Sequence, residues 1–401
     1  MARIASMIAR LTPPVIVQGD LLPNFGRICR TGHDNIEAKR EETLPFSQFN
    51  ADRSNSPSKY NSTLETIANS ALKKDRVIFF GEQHHQPKVL SSQLQVIHQI
   101  WQVAQKRAEE EGKPTPNIHI VFEQWSLEDQ PFLHKLNTAQ AEEANELFSK
   151  SEEATSEGFS FNHYALLIKM AREIGANVWG GFPPRTWARI VARGGSTEAE
   201  DVEQPSKDSH FAFDQVRKLD HDRFEISLRA LELIGEEEKT SQKLIPPLSI
   251  EQYNQIGQVS WAHRTYLKGM FAPDKRPLIP IEATSGQDCP SERVGFTPAQ
   301  ALKDTFFAHT ISTILERDPN NLVIAICGLG HCEWRFGAPE RLRGDAEPYI
   351  IISKPNDSGY WPEKVAEKGK EEYNVTSHQQ AAGEEWQRKQ ADAILLYDWI
   401  D

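Results

Sequence analysis

The stretch Val77-Ile-Phe-Phe-Gly-Glu-Gln-His84 decides the fold. Its four consecutive apolar residues, Val77–Phe80, stopped by Gly81, read as a strand buried on both faces, the kind found in parallel sheets. Just downstream, Leu90, Leu94, Ile97, Trp101, Ala104 and Ala108 recur at steps of three and four, which lines them along one helical face. The glycine and prolines of Gly112–Pro116 stop that helix, and Ile118–Phe122 is a second apolar strand. Strand, helix, strand is the βαβ unit of a doubly wound sheet.

The alternation continues along the chain. A helix carrying Tyr164, Leu167, Ile168 and Ala171 leads into a strand at Asn177–Gly180. Far downstream, a helix from Ala299 to Arg317 precedes Leu322-Val-Ile-Ala-Ile326, the clearest strand of all, and Tyr349–Ile352 and Ala393–Leu396 supply two late strands. The pattern breaks between residues 186 and 297. That section starts polar, turns helical through Phe224, Leu228 and Leu231, is interrupted at Pro246-Pro247, and resumes as a helix from Ile250 to Met270. The expected architecture is α/β, a doubly wound, mainly parallel sheet over residues 63–401, with 186–297 as a helical insertion.

Residues 1–62 show no periodicity and read as an extension outside the core. Between Met1 and Gly19 there are two arginines, Arg3 and Arg10, and no acidic residue. That pattern matches an organellar, mitochondrial presequence, the alternative being a plain disordered terminus on a cytoplasmic protein. A net charge of −12 with no basic block argues against nucleic-acid binding. No apolar run reaches the roughly 20 residues that a membrane-spanning helix needs. Cys29, Cys289, Cys327 and Cys332 are too few and too scattered for a disulfide framework, and read as buried thiols.

Three strand ends carry ionisable groups: Gly81-Glu-Gln-His84, Glu123, and Gly328-Leu-Gly-His331. In open α/β sheets the carboxyl ends of the strands border the ligand crevice. Residues two apart in extended chain share a face, so Glu82 and His84 can enter one crevice together. Two histidines and two carboxylates converging there can hold a divalent metal. Equally, one histidine can act as a general base oriented by a carboxylate. The bland alternative is a hydrogen-bond network that only closes the sheet.

These residues also carry a resemblance. The chain resembles the ChaN-like haem-binding uptake proteins, which share a superfamily with the Tiki proteases and erythromycin esterases. That superfamily is marked by two Gly-x-x-His motifs and glutamates, here Gly81–His84, Gly328–His331 and Glu123. Asp129-Gln-Pro131, the helix with Tyr164 and Ala171, Ala299-Gln-Ala-Leu-Lys-Asp304, Gly337-Ala-Pro339 and Ala391–Leu396 resemble further family segments. The likeness runs from about residue 76 to 398. It departs at Phe182-Pro-Pro-Arg185, where Arg185 is kept but an expected asparagine is not, and at His85, an extra histidine beside the first motif. The resemblance implies haem held between protomers of a homodimer, with a tyrosine on iron and a histidine near the propionates. The insertion offers Tyr253, His263 and Tyr266 for such contacts, and Tyr253 fits best because it follows the Pro-Pro break.

Three functions stay open at this level: a binder of haem or a related tetrapyrrole, a hydrolase using metal or a histidine base at Glu82, His84, Glu123 and His331, and a non-catalytic accessory subunit that kept the fold. Fold likeness does not choose among them.

Overall fold

The computed structural model describes residues 15–17, 58–73, 76–150, 155–194, 209–233, 244–259, 263–264, 266–267, 295–344, 346–355 and 391–397. Most of the cationic N-terminus, Cys29, Cys289 and most of the polar stretch 194–209 lie outside the described residues.

The centre is an all-parallel sheet. Its strands are β1 (Val15–Val17), β2 (Val77–Glu82), β3 (Asn117–Ser126), β4 (Asn177–Phe182), β5 (Asn321–Gly328), β6 (Tyr349–Pro355) and β7 (Ala393–Tyr397). They lie side by side in the order β1-β7-β6-β2-β5-β3-β4. β2 sits between β6 and β5, with Val77 opposite Val323 and Glu82 opposite Gly328. Every residue of β2 and β5 is buried, as continuous apolar runs require.

Side-chain alternation divides the core into two layers. Ile78, Phe80, Ile120, Phe122, Ile324 and Ile326 point to one face. There they meet α1 (Ser58–Ala71), α2 (Pro87–Glu111) and α5 (Phe161–Glu173) through residues such as Ile67, Ile97 and Leu167. Val77, Phe79, Val121, Val323 and Ala325 point to the other face, onto Phe306, Phe307 and Ile311 of α9 (Phe296–Arg317). Two shorter helices, α3 (Gln130–Thr138) and α4 (Ala141–Lys150), follow β3.

Where it is described, the 186–297 section is helical: most of α6 (Arg185–Ala192), then α7 (Ser209–Leu233) and α8 (Ile250–Gln255). Trp187, Val216, Ile245 and Tyr253 join the α9 layer, so these helices cover that face of the sheet. Buried Asp220 ties them together: it pairs with Arg223 at 2.7 Å and accepts the Leu248 backbone N–H at 2.9 Å. No described helix is long and apolar enough to cross a membrane.

The structure differs from the sequence expectations in three places. The 1–62 section contributes β1, a three-residue edge strand on β7, and the start of α1 at Ser58. The helix expected from Ile250 to Met270 ends its first segment at Gln255, where Ile256 and Gly257 form a turn. The second apolar strand runs past Phe122 to Ser126. Its register against β4 shifts, since Phe122 faces Gly180 while Ser126 faces Phe182. Four residues of β3 therefore span two of β4, an irregularity of the kind that re-aims side chains beside functional sites. Glu123 lies in it.

Candidate functional site

Glu82 ends β2 in the interior, and its carboxylate is fully engaged. Its Oε1 accepts from the Tyr164 hydroxyl at 2.5 Å, from Gln124 Nε2 at 2.9 Å, and faces His84 Nδ1 at 2.9 Å. Its other oxygen accepts from Gln93 Nε2. Buried carboxylates persist when their lone pairs are filled in this way.

Glu123, also buried, accepts the Gly328 backbone N–H on Oε2 at 2.8 Å and meets His84 Nε2 with Oε1 at 3.1 Å. Half-buried His84 therefore has a carboxylate at each ring nitrogen. Burial opposes a charge on it, but Glu123, and then the hydrogen bond and charge of Glu82, raise its pKa to about 9. The ring is an imidazolium at neutral pH.

His331 follows β5 in a short 3-10 turn (Leu329–His331). Its Nδ1 faces Asp304 Oδ1 at 2.6 Å, and its Nε2 lies 3.9 Å from Glu123 Oε2. An edge-on contact with Phe182, ring centres 4.8 Å apart, walls it on one side. The structure thus brings Glu82, His84, Glu123 and His331 together at the carboxyl ends of β2, β3 and β5. Beside them, Lys303 donates to Glu157 at 3.2 Å and sits 4.9 Å over the Phe182 ring. Burial pushes the Glu157 carboxyl up, and Lys303 works against that shift.

The mouth of this cluster is built from rings. Exposed His85 takes a left-handed backbone, φ 61°. Its ring centre lies 5.5 Å from His163, 5.8 Å from Phe159 and 6.2 Å from Tyr164. Phe159 also leans on His84 at 4.7 Å. Burial lowers the pKa of both extra histidines, His163 to about 4, so both are neutral at physiological pH. Arg185, exposed at the start of α6, brings its guanidinium against Gly158, next to Phe159 in sequence.

The insertion residues sit differently. The Tyr253 hydroxyl donates to buried Asp220 at 3.1 Å, and its pKa is raised by burial and by that carboxylate. The Tyr266 hydroxyl donates to Glu333 at 2.5 Å, and the ring is tilted on Phe336. His263 is stacked on Phe336 with Nδ1 3.0 Å from Glu340 and Nε2 4.0 Å from Asp304. All three are buried among partners, so neither phenol faces outward to meet an iron.

Among the described residues, no group of three or more His, Cys, Asp and Glu side chains is arranged to hold a metal ion. The Glu82 and Glu123 carboxylates, which spacing offered as ligands, accept hydrogen bonds from Tyr164, Gln124, Gln93 and the Gly328 backbone. Cys327 and Cys332 are free, buried thiols. Sequence reasoning did not assign Gln93, Gln124 and Asp304 to the site. Gln93 carried a local signal, a glutamine on the apolar side of an amphipathic helix, and Asp304 closed a segment that resembles the family.

No curated protein matches the chain at a significant level. Two solved structures are similar. ChaN of Campylobacter jejuni, described with cofacial haem binding, is 14% identical over 72% of this chain and 85% of its own, with a TM-score of 0.39. An erythromycin esterase mutant in its open conformation is 16% identical over 72% of each chain, with a TM-score of 0.33. The family model described as "Haem-binding uptake, Tiki superfamily, ChaN" matches residues 68–342, which hold both Gly-x-x-His motifs and Glu123. By that match over most of its length, the chain belongs to the ChaN-like haem-binding uptake family of the Tiki superfamily.

Proposed function

We propose that the protein binds haem or a related tetrapyrrole at the carboxyl ends of β2, β3 and β5. The observation that carries this reading is the ring-lined mouth, where exposed His85 and part-buried His163 stand with Phe159 over the charged His84. That donor set fits the group. Imidazole nitrogens suit haem iron, aromatic faces suit the macrocycle, and the Arg185 guanidinium suits a propionate. Haem bound there would supply the iron chemistry, while the chain supplies ligand, cover and charge. Titrating purified protein with haemin tests it. A stoichiometric Soret band is expected, and its absence ends the proposal.

A second reading, hydrolysis, draws on one specific observation. Asp304 holds Nδ1 of His331 while Nε2 faces Glu123, the arrangement that orients a general base. His84 does not suit that role at neutral pH, because it is already protonated. If the protein hydrolyses esters, turnover of a chromogenic ester panel should collapse in His331→Asn and survive in Tyr253→Phe.

A further inference from the structure

The family resemblance points to a tyrosine on haem iron, but the tyrosines of the insertion are committed elsewhere. Tyr253 is bound to Asp220 and Tyr266 to Glu333, both in the interior. Burial raises the Tyr253 pKa, against the phenolate that iron would need. Tyr164 lies at the site, yet it is buried and donates to Glu82. Among the histidines, His84 is held at both ring nitrogens and His331 is held by Asp304.

His85 is different. It directly follows the first Gly-x-x-His motif, where the chain must turn from β2 into α2. The turn places it in the left-handed region, uncommon for a residue other than glycine. On one side Gln86 is buried and on the other His84 is half-buried, while His85 is exposed. Four rings stand close to it, those of His163, Phe159, Tyr164 and His84, and the charge of Glu82 also reaches it. Unfavourable backbone conformations of this kind concentrate at ligand clamps.

We infer that His85 supplies the axial ligand to haem iron in this chain, in place of the family's tyrosine, with Phe159 and His163 flanking the macrocycle. The inference rests on the haem reading above. Arg185, whose guanidinium reaches Gly158 beside Phe159, is the cation for a propionate.

The test compares haemin-loaded wild type with His85→Gly, His85→Asn, His163→Ala and Tyr253→Phe. Glycine and asparagine both accept the left-handed backbone, so these variants keep the fold, and thermal melts verify it. The expected result is loss of the wild-type ferric and ferrous absorption bands in both His85 variants. Added imidazole should restore them by occupying the vacated position. Tyr253→Phe should keep the ligand signature, whereas His163→Ala, which removes a ring beside the macrocycle, should weaken haemin binding without removing the axial-ligand bands. An unchanged spectrum in folded His85→Gly overturns the assignment while leaving haem binding standing. A changed spectrum in Tyr253→Phe overturns it too, in favour of the phenol. No Soret band in the wild type removes the haem reading, and the ligand assignment with it.

Discussion

At the scale of single residues, the site depends on how closely Gly328 approaches it. A Cβ there would lie 2.9 Å from His84 Nε2, 3.1 Å from its Cε1 and 3.5 Å from Glu123 Oε1. Gly328→Ala should push the imidazole out of its place between two carboxylates, with the fold kept. The His84 ring should then titrate nearer its ordinary value than about 9, which an NMR pH titration of the histidine resonances would detect. A titration unchanged from wild type would mean that the ring yields without losing Glu123. Tyr164→Phe probes the other carboxylate. It removes one of the donors to buried Glu82, and bonds to charged groups contribute about 1.5–3 kcal/mol. Urea unfolding should show a loss of that order, and a loss under about 0.5 kcal/mol would show that Gln93, Gln124 and His84 suffice. Glu82, His84, Glu123 and His331 were legible because motif spacing and strand ends mark them. Gln93 and Asp304 were not, because a polar residue on a helix becomes a site residue only through what the helix packs against.

At the scale of elements, α2 and α9 show two kinds of helix. α2 is amphipathic and ends at Gly112, whose left-handed φ of 61° lets its N–H close back on Ala108. Nothing lies within 4 Å of a Cβ built there. Gly112→Ala should therefore lose only the backbone preference, about 1–2 kcal/mol, with no change at the site. Chemical denaturation checks the first part and haemin titration the second. α9 is buried nearly all round, between the sheet and the insertion. Phe307 packs against Phe79 and Phe182, with ring centres 6.3 and 5.3 Å away. Phe307→Ala should cost about 3–5 kcal/mol, and a much smaller loss in the unfolding midpoint would mean that this layer collapses to fill the gap. The runs behind β2 and β5 were plain in the sequence. The irregular end of β3 was not, because Glu-Gln-Trp carries no strand periodicity and Ser126 pairs through backbone alone. β1 was missed for a related reason: three residues on a sheet edge are too few to show a pattern.

At the scale of the molecule, buried histidines set opposing pH limits. Burial holds His119, His163 and His309 at about 4, so the folded chain keeps them neutral where the unfolded chain takes up protons. Their effect is a loss of stability as pH falls from about 6.5 towards 4. His84 has the opposite sign. Its folded value of about 9 lies above the ordinary 6.5, so its contribution is complete below pH 6.5 and is lost as pH rises through about 9. Urea midpoints measured from pH 4 to 10 should peak near pH 6.5. His84→Gln should flatten the alkaline limb and His309→Gln the acid limb, and a profile indifferent to both would contradict the electrostatics described above. By itself the sequence determined the α/β class, the parallel order of local βαβ units, the helical character of the described insertion and the four residues at the strand ends. These follow from local periodicity and from the rule that strand carboxyl ends meet at one edge. Only the tertiary structure decided that the carboxylates are filled with hydrogen bonds, that Tyr253 and Tyr266 face buried acids, and that His85 stands exposed among rings. Each of those depends on contacts between segments tens to hundreds of residues apart, and a linear pattern carries no record of which side chains such packing brings within 3 Å of one another.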